Sequence, residues 1–131
     1  MNVMDIEELI KKVIACAVNI RRQLGPGYLE SVYKNAMLVE LRKWELRYEV
    51  ERPINVYYDQ VLVGEFRADI IVENMLILEL KATHSLHVAN ELQLVNYLTA
   101  TGMDNGLLIN FGSEEIQIKR KYRLYRKRFN E

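Results

Sequence analysis

The sequence predicts a mixed α/β domain in which a single sheet carries helices on both faces. Three observations lead there. Two stretches near the N-terminus repeat apolar residues at helical spacing, the middle of the chain alternates apolar and polar residues with a period of two, and one more helical stretch separates those strands from two later ones. The predicted order is α-α-β-β-β-α-β-β. At 131 residues, 50% hydrophobic and 27% charged, the chain suits one compact domain with a core of its own.

Asp5 followed by Glu8 has the form of a capping box, and Ile6, Leu9, Ile10, Val13, Ala17, Ile20 and Leu24 follow at helical spacing. The first helix is therefore expected from about residue 5 to 24. Gly25-Pro26-Gly27 ends it, because proline and two glycines in three positions do not continue a helix. A second helix is expected from Leu29 to Trp44, with Val32, Tyr33, Ala36, Met37 and Leu41 facing inward. The period then changes. Val50, Ile54, Val56 and Tyr58 alternate with polar residues, and Asp59-Gln60 has the composition of a turn. Residues 61–80 read as strand, short turn at Glu73-Asn74, strand. A third helix spans Val88 to Thr101, with Gly102 as its stop. Leu107-Leu108-Ile109 and Ile116 to Lys119 complete the order as two late strands.

Composition removes several classes of protein. The longest uninterrupted apolar run is the six residues Val13 to Val18, against the ~20 that span a bilayer. No basic-then-apolar leader opens the sequence, so a cytoplasmic domain without membrane association is expected. The one cysteine, Cys16, lies in a helical apolar pattern and reads as a small core hydrophobe, which excludes an internal disulfide scaffold and a cysteine-rich zinc site. The 18 basic and 18 acidic residues balance, but unevenly: residues 119–131 hold seven cations and a single acid, Glu131. Residues 1–121 are expected to form the domain and 122–131 a basic tail. Lys119, Arg120, Lys121, Arg123, Arg126, Lys127 and Arg128, beside Tyr122, Tyr125 and Phe129, have the composition of a strip that follows phosphates and stacks on bases. A solubilising or subunit-contacting C-terminus has the same composition.

The two strands within residues 61–81 carry the chemistry. Phe66, Ala68, Ile70 and Val72, then Leu76, Leu78 and Leu80, put every even position in the apolar class. Odd positions hold Arg67, Asp69, Glu79 and Lys81 with Ile71, Met75 and Ile77. One face is thus core, and the other gathers two carboxylates and two cations. A two-residue turn would oppose Ala68 to Glu79 and mix the faces, so an odd-length turn is required. Val72-Glu73-Asn74, with Asn74 left-handed and Ile71 opposite Met75, is the expected one. It places Asp69 and Glu79 diagonally, ~7–8 Å apart at the backbone. Two carboxylates this close raise one another's pKa and call for a positive partner: a divalent metal, Lys81, Arg67 or all three. A solvated ladder of salt bridges has the same spacing, but Ile71 and Ile77 on that face point to partial cover, and covered charges require compensation.

These residues resemble a known family. Gly27-Tyr28-Leu29-Glu30-Ser31-Val32-Tyr33 fits the signature of the GxxExxY proteins, which are similar to PD-(D/E)XK nucleases. The similarity continues through Gly64 to Asp69, Leu78-Glu79-Leu80-Lys81, Gln93 to Leu98, Ala100-Thr101-Gly102 and Leu107 to Gly112. The resemblance implies a restriction-endonuclease-like core in which Asp69, Glu79 and Lys81 stand as the acid, acid and lysine around a divalent ion. It implies Glu30 as an upstream acid reaching the metal through water, and Gln93 as the glutamine of the following helix, with Tyr97 one turn later. Asn90 stands where many relatives carry histidine, and Ala68 where the motif has proline.

The expectation that follows is a metal-dependent nuclease using Mg²⁺ or Mn²⁺, with catalytic Glu30, Asp69, Glu79, Lys81 and Gln93. Asp69 and Glu79 bind the metal, and Arg67 and the C-terminal cations bind nucleic acid, DNA in preference to RNA. Hard oxygen donors suit those ions, and a lysine suits the charge that develops on phosphorus. The alternative is a nuclease-like domain without catalysis that binds nucleic acid or a protein partner, and a homodimer is compatible with either. His84 and His87 are expected as loop residues, and Tyr28 and Tyr33 as packing residues.

Overall fold

Helix α1 spans Ile6–Leu24 and buries Leu9, Ile10, Val13, Cys16, Ala17 and Ile20 along one stripe. It belongs to a computed structural model that describes residues 4–124. The expected capping box is not formed. Asp5 is the N-cap, but its side chain makes no capping bond, and Glu7 in the first turn reaches instead to Arg120 at 2.8 Å. Burial pushes the Cys16 thiol up to about 11, which fits packing rather than reactivity. Helix α2 spans Glu30–Lys43 and buries Tyr33, Met37, Glu40 and Leu41. Val32 and Ala36, expected inside, are only half-buried.

Strands β1 (Tyr48–Tyr58), β2 (Val61–Val72), β3 (Leu76–Lys81), β4 (Asn105–Asn110) and β5 (Gln117–Tyr122) form one sheet in sequence order, and helix α3 (Val88–Thr101) links β3 to β4. All neighbours are antiparallel except β3 and β4, the pair joined by the helical crossover. Gly102 closes α3 in the left-handed conformation, as its position predicts. Asn90 caps the other end, its side-chain oxygen accepting the His87 N–H at 3.0 Å. No helix among the described residues is long and apolar enough to cross a membrane.

Two cores sandwich the sheet. Helices α1 and α2 cover Ile70, Val72, Leu76, Leu78, Leu80, Leu107, Ile109 and Phe111. Helix α3 lays Leu94, Tyr97 and Leu98 on Ile71, Ile77 and Leu108. The odd-numbered face of β3 is therefore covered over its first half, and Glu79 emerges on the same side. The β2–β3 turn has the odd length that the pattern requires, but the register differs from the expected one. Ile71 opposes Ile77, and Val72 opposes Leu76. The three-residue turn is Glu73-Asn74-Met75, with both Glu73 (φ +51°) and Asn74 (φ +53°) left-handed. Arg47 tethers that turn, its backbone N–H donating to Glu73 Oε2 at 2.6 Å.

Alternation along β2 breaks at Asp69. Ile70 joins the core under α1 and α2, whereas Ala68 joins the one under α3. The pairing of β1 with β2 skips Glu51 and Asp69, and Glu51 has φ +55°. Local breaks of this kind re-aim side chains. Beyond it, β1 and β2 continue as a hairpin that ends at Asp59 (φ +50°) and Gln60 (φ +65°). Two successive left-handed residues are what a tight two-residue hairpin turn needs.

Candidate active site

Continuing the observed register one step sets Asp69 directly opposite Glu79, not diagonal to it. The backbone ladder stops at Ile70 and Leu78, and the two carboxylates take over its bonds. The Leu80 N–H donates to Asp69 Oδ2 at 2.8 Å, and the Asp69 N–H donates to Glu79 Oε1 at 3.3 Å. Each acid thus accepts from the other's strand, fixing both side chains at the point where β2 departs from β3. Glu79 is 5% exposed. Burial first, and the Asp69 charge second, push it up to about 8. Lys81, two residues along β3, and the Asp69 N–H pull the other way.

Glu30 is the first residue of α2, following the Gly25-Pro26-Gly27 break. Its carboxyl is raised by partial loss of water and then by Asp69, while Lys81 and Lys34 oppose the rise. Asp69 and Lys81 act on both Glu30 and Glu79, so the four groups share one end of the sheet. Tyr97 borders them from α3: burial, and then the charges of Glu79 and Asp69, raise its phenol. Gln93, one turn earlier, is half-buried and lines with Tyr97 a groove of about 800 Å³ between α3 and the β1–β2 hairpin.

Arg67 is not gathered with the acids. It is exposed, donates to the Glu51 carbonyl at 3.2 Å and pairs with Glu65. Lys119, Arg120 and Lys121 lie in edge strand β5. Lys119 and Lys121 both bond Glu91 of α3, at 3.1 and 2.9 Å, and Arg120 bonds Glu7 and Asn105. Arg123 pairs with Asp104 at 2.9 Å. Such partly exposed pairs exchange partners at small cost. Arg126, Lys127 and Arg128 lie outside the described residues, as do Tyr125 and Phe129. His87 is the residue before α3, and Tyr33 packs as expected, stacked on Phe111 with ring centroids 4.7 Å apart.

Two supporting residues escaped the sequence reading. Asn110, buried opposite Lys81, accepts the Thr83 and Gly112 N–H groups and donates to the Thr83 carbonyl and Gln117. It thereby fastens the chain leaving Lys81. Gly112 is required beside it, since a Cβ there would lie 2.5–2.7 Å from the backbone of Ala82 and Thr83. The signal was present: an asparagine and a glycine closing the apolar run Leu107-Leu108-Ile109.

Among the described residues, no group of three His, Cys, Asp or Glu side chains is already assembled as a metal-binding cluster. The Asp69–Glu79 pair is the nucleus to which a cation would add. The donors fit a hard divalent ion: paired carboxylate oxygens, one of them buried, whose repulsion a cation removes.

A model of the PD-(D/E)XK nuclease superfamily matches residues 7–121, and the chain belongs to that superfamily. The crystal structure of SSO0001 is similar, with a TM-score of 0.59 and 17% sequence identity over 92% of this chain and 61% of that one. The chain thus spans about three-fifths of that protein's length, and the likeness is one of fold. No curated protein matches the chain in sequence.

Proposed function

We propose that this chain is a metal-dependent nuclease of the GxxExxY branch, acting in the cytoplasm on the phosphodiester bonds of DNA in preference to RNA. The observation that carries the reading is the crossed pair of acids. Asp69 and Glu79 face one another at the end of the β2–β3 ladder, with Lys81 close enough to act on Glu79 and Glu30 close enough to feel Asp69. Asp69 and Glu79 would hold Mg²⁺ or Mn²⁺, and Glu30 would reach it through water. Such an ion, when bound, supplies a Lewis acid for the phosphate and an activated water.

The chain's own groups do the rest. Lys81 carries its ammonium beside Glu79, where it stabilises negative charge growing on phosphoryl oxygens. Glu30, with its raised pKa, is suited to hold a proton taken from attacking water. Gln93 orients the strand at the groove's edge, and the cations of β5 and the C-terminal tail follow phosphates.

The test is purified protein with Mg²⁺ or Mn²⁺ on labelled linear, circular and single-stranded DNA and on RNA, beside Lys81→Ala. Wild type is expected to cleave, and Lys81→Ala to cleave ~10²-fold more slowly or worse while binding almost as well. Equal cleavage by the two proteins refutes the mechanism. Binding without cleavage by wild type, with either metal, establishes the binding-only reading.

A further inference from the structure

We propose that the groove between α3 and the β1–β2 hairpin is a pocket for an unpaired nucleobase, so that the substrate enters the site with single-stranded character. The inference rests on the nuclease reading and adds to it where the strand lies. The groove has walls of two kinds. Tyr57 and Phe66 rise from the hairpin, and Tyr97 rises from α3. The Phe66 and Tyr97 rings lie 5.6 Å apart with 40° between their planes, forming an apolar corner. Three side-chain amides, Asn55, Gln93 and Asn96, line the same groove.

Among the described residues, no charged one lines this groove. Backbone phosphates are drawn chiefly by lysine and arginine, and a largely apolar lining favours a base over them. Aromatic faces take a base by stacking, and amides, which donate and accept, match the mixed donor and acceptor edge of a base. Its volume of about 800 Å³ falls in the range of small-ligand sites, ~300–1,000 Å³. Phe66 is 42% exposed and Tyr57 61% exposed, a cost in apolar surface that a stacked base removes.

Continuity with the acids selects this occupant. Tyr97 belongs to both places: its ring lines the groove beside Phe66, and its hydroxyl feels the charges of Glu79 and Asp69. A strand whose phosphate lies at the acid pair therefore has a neighbouring nucleotide at the groove. A paired base is already stacked and hydrogen-bonded within its duplex, so only an unpaired one is free to enter.

The test is binding, in EDTA, of a fluorescent oligonucleotide containing 2-aminopurine, of the same oligonucleotide with abasic sites, and of its duplex. The proteins are wild type, Phe66→Ala and Tyr57→Ala, with folding checked by circular dichroism. Wild type is expected to bind the single strand with a change in 2-aminopurine fluorescence and to bind the abasic strand more weakly. Each substitution should lower single-strand affinity by about 5- to 150-fold, the usual worth of one stacked base, and leave duplex affinity unchanged. Equal affinity for normal and abasic strands, or unchanged affinity in both variants, overturns the pocket and leaves the nuclease reading standing. Absence of binding to every nucleic acid overturns both. A wild-type dimer that dissociates on Tyr57→Ala, with no effect of either substitution on nucleic acid, assigns the groove to a second copy of the chain instead.

Discussion

Replacing Glu79 by Gln should stabilise the metal-free protein at alkaline pH while abolishing its response to divalent cations. The amide keeps the shape: its oxygen accepts the Asp69 N–H as Glu79 does, and its N–H₂ can donate to the Asp69 carboxylate, as a protonated Glu79 would. What is lost is the charge. The folded protein holds the Glu79 proton up to about 8, against 4.5 for an unperturbed glutamate. Stability from the neutral form is therefore fully present below pH 4.5 and is lost as pH rises through about 8. At ~1.36 kcal/mol per pKa unit, that interval bounds the cost at about 5 kcal/mol, and water admitted at the open end of the ladder leaves about 2–4 kcal/mol to be measured. At ~4 °C per kcal/mol, the variant should melt roughly 10 °C above wild type in EDTA near pH 9 and close to it near pH 5. Mn²⁺ should then raise the wild-type Tm at the higher pH and leave the variant unmoved. Calorimetry across that range decides the matter. Parallel Tm curves for the two proteins would refute the reasoning, because the acids would then lie together charged and hydrated without needing a cation.

Three further outcomes are expected. Asp69→Asn, nearly isosteric, should weaken Mn²⁺ binding sharply with the fold retained, and an unchanged affinity by titration calorimetry counts against Asp69 as a ligand. Gly112→Ala should destabilise by about 1–3 kcal/mol or more in urea denaturation, because the atoms met by the new Cβ are the backbone of Ala82 and Thr83; an unchanged midpoint would remove the close approach from the argument. Deleting residues 125–131 removes Arg126, Lys127 and Arg128 and should flatten the slope of log K against log salt on duplex DNA by up to ~2.7 if all three engage phosphates. An identical slope would return the tail to a solubilising role.

The elements were legible because each rests on local physics. Gly25-Pro26-Gly27 and Gly102 mark where helices cannot continue, and both helices stop there. The even-numbered apolar positions from Ile70 to Leu80 announced a buried face, and they lie under α1 and α2. What stayed hidden was decided by contacts distant in sequence. Asp5 caps α1 without the expected box, and the first turn is tied by Glu7 to Arg120 across the fold, a pairing that local pattern does not reveal. Ala68 matches its even-numbered neighbours in type yet packs under α3, since the break opposite Glu51 resets the alternation. The cations of β5 were visible as charge, but that Glu91 faces both Lys119 and Lys121 depends on how α3 crosses the sheet.

The site shows how a small error in register changes chemistry. Face purity demands an odd turn, and that argument is sound, but it does not distinguish registers two residues apart, since both keep every side chain on its face. Turn chemistry separates them. Two successive left-handed residues, Glu73 and Asn74, with Met75 third, draw Leu76 opposite Val72. The shift converts a diagonal pair of acids into a directly opposed one. Diagonal acids would bridge a cation loosely across open sheet. Opposed acids at the point where the ladder ends can each accept a hydrogen bond from the other's strand, which holds both carboxylates in place before any ligand arrives. That arrangement goes with the burial of Glu79 and its raised pKa, and it holds the two carboxylates in fixed positions, as the proposed metal site requires.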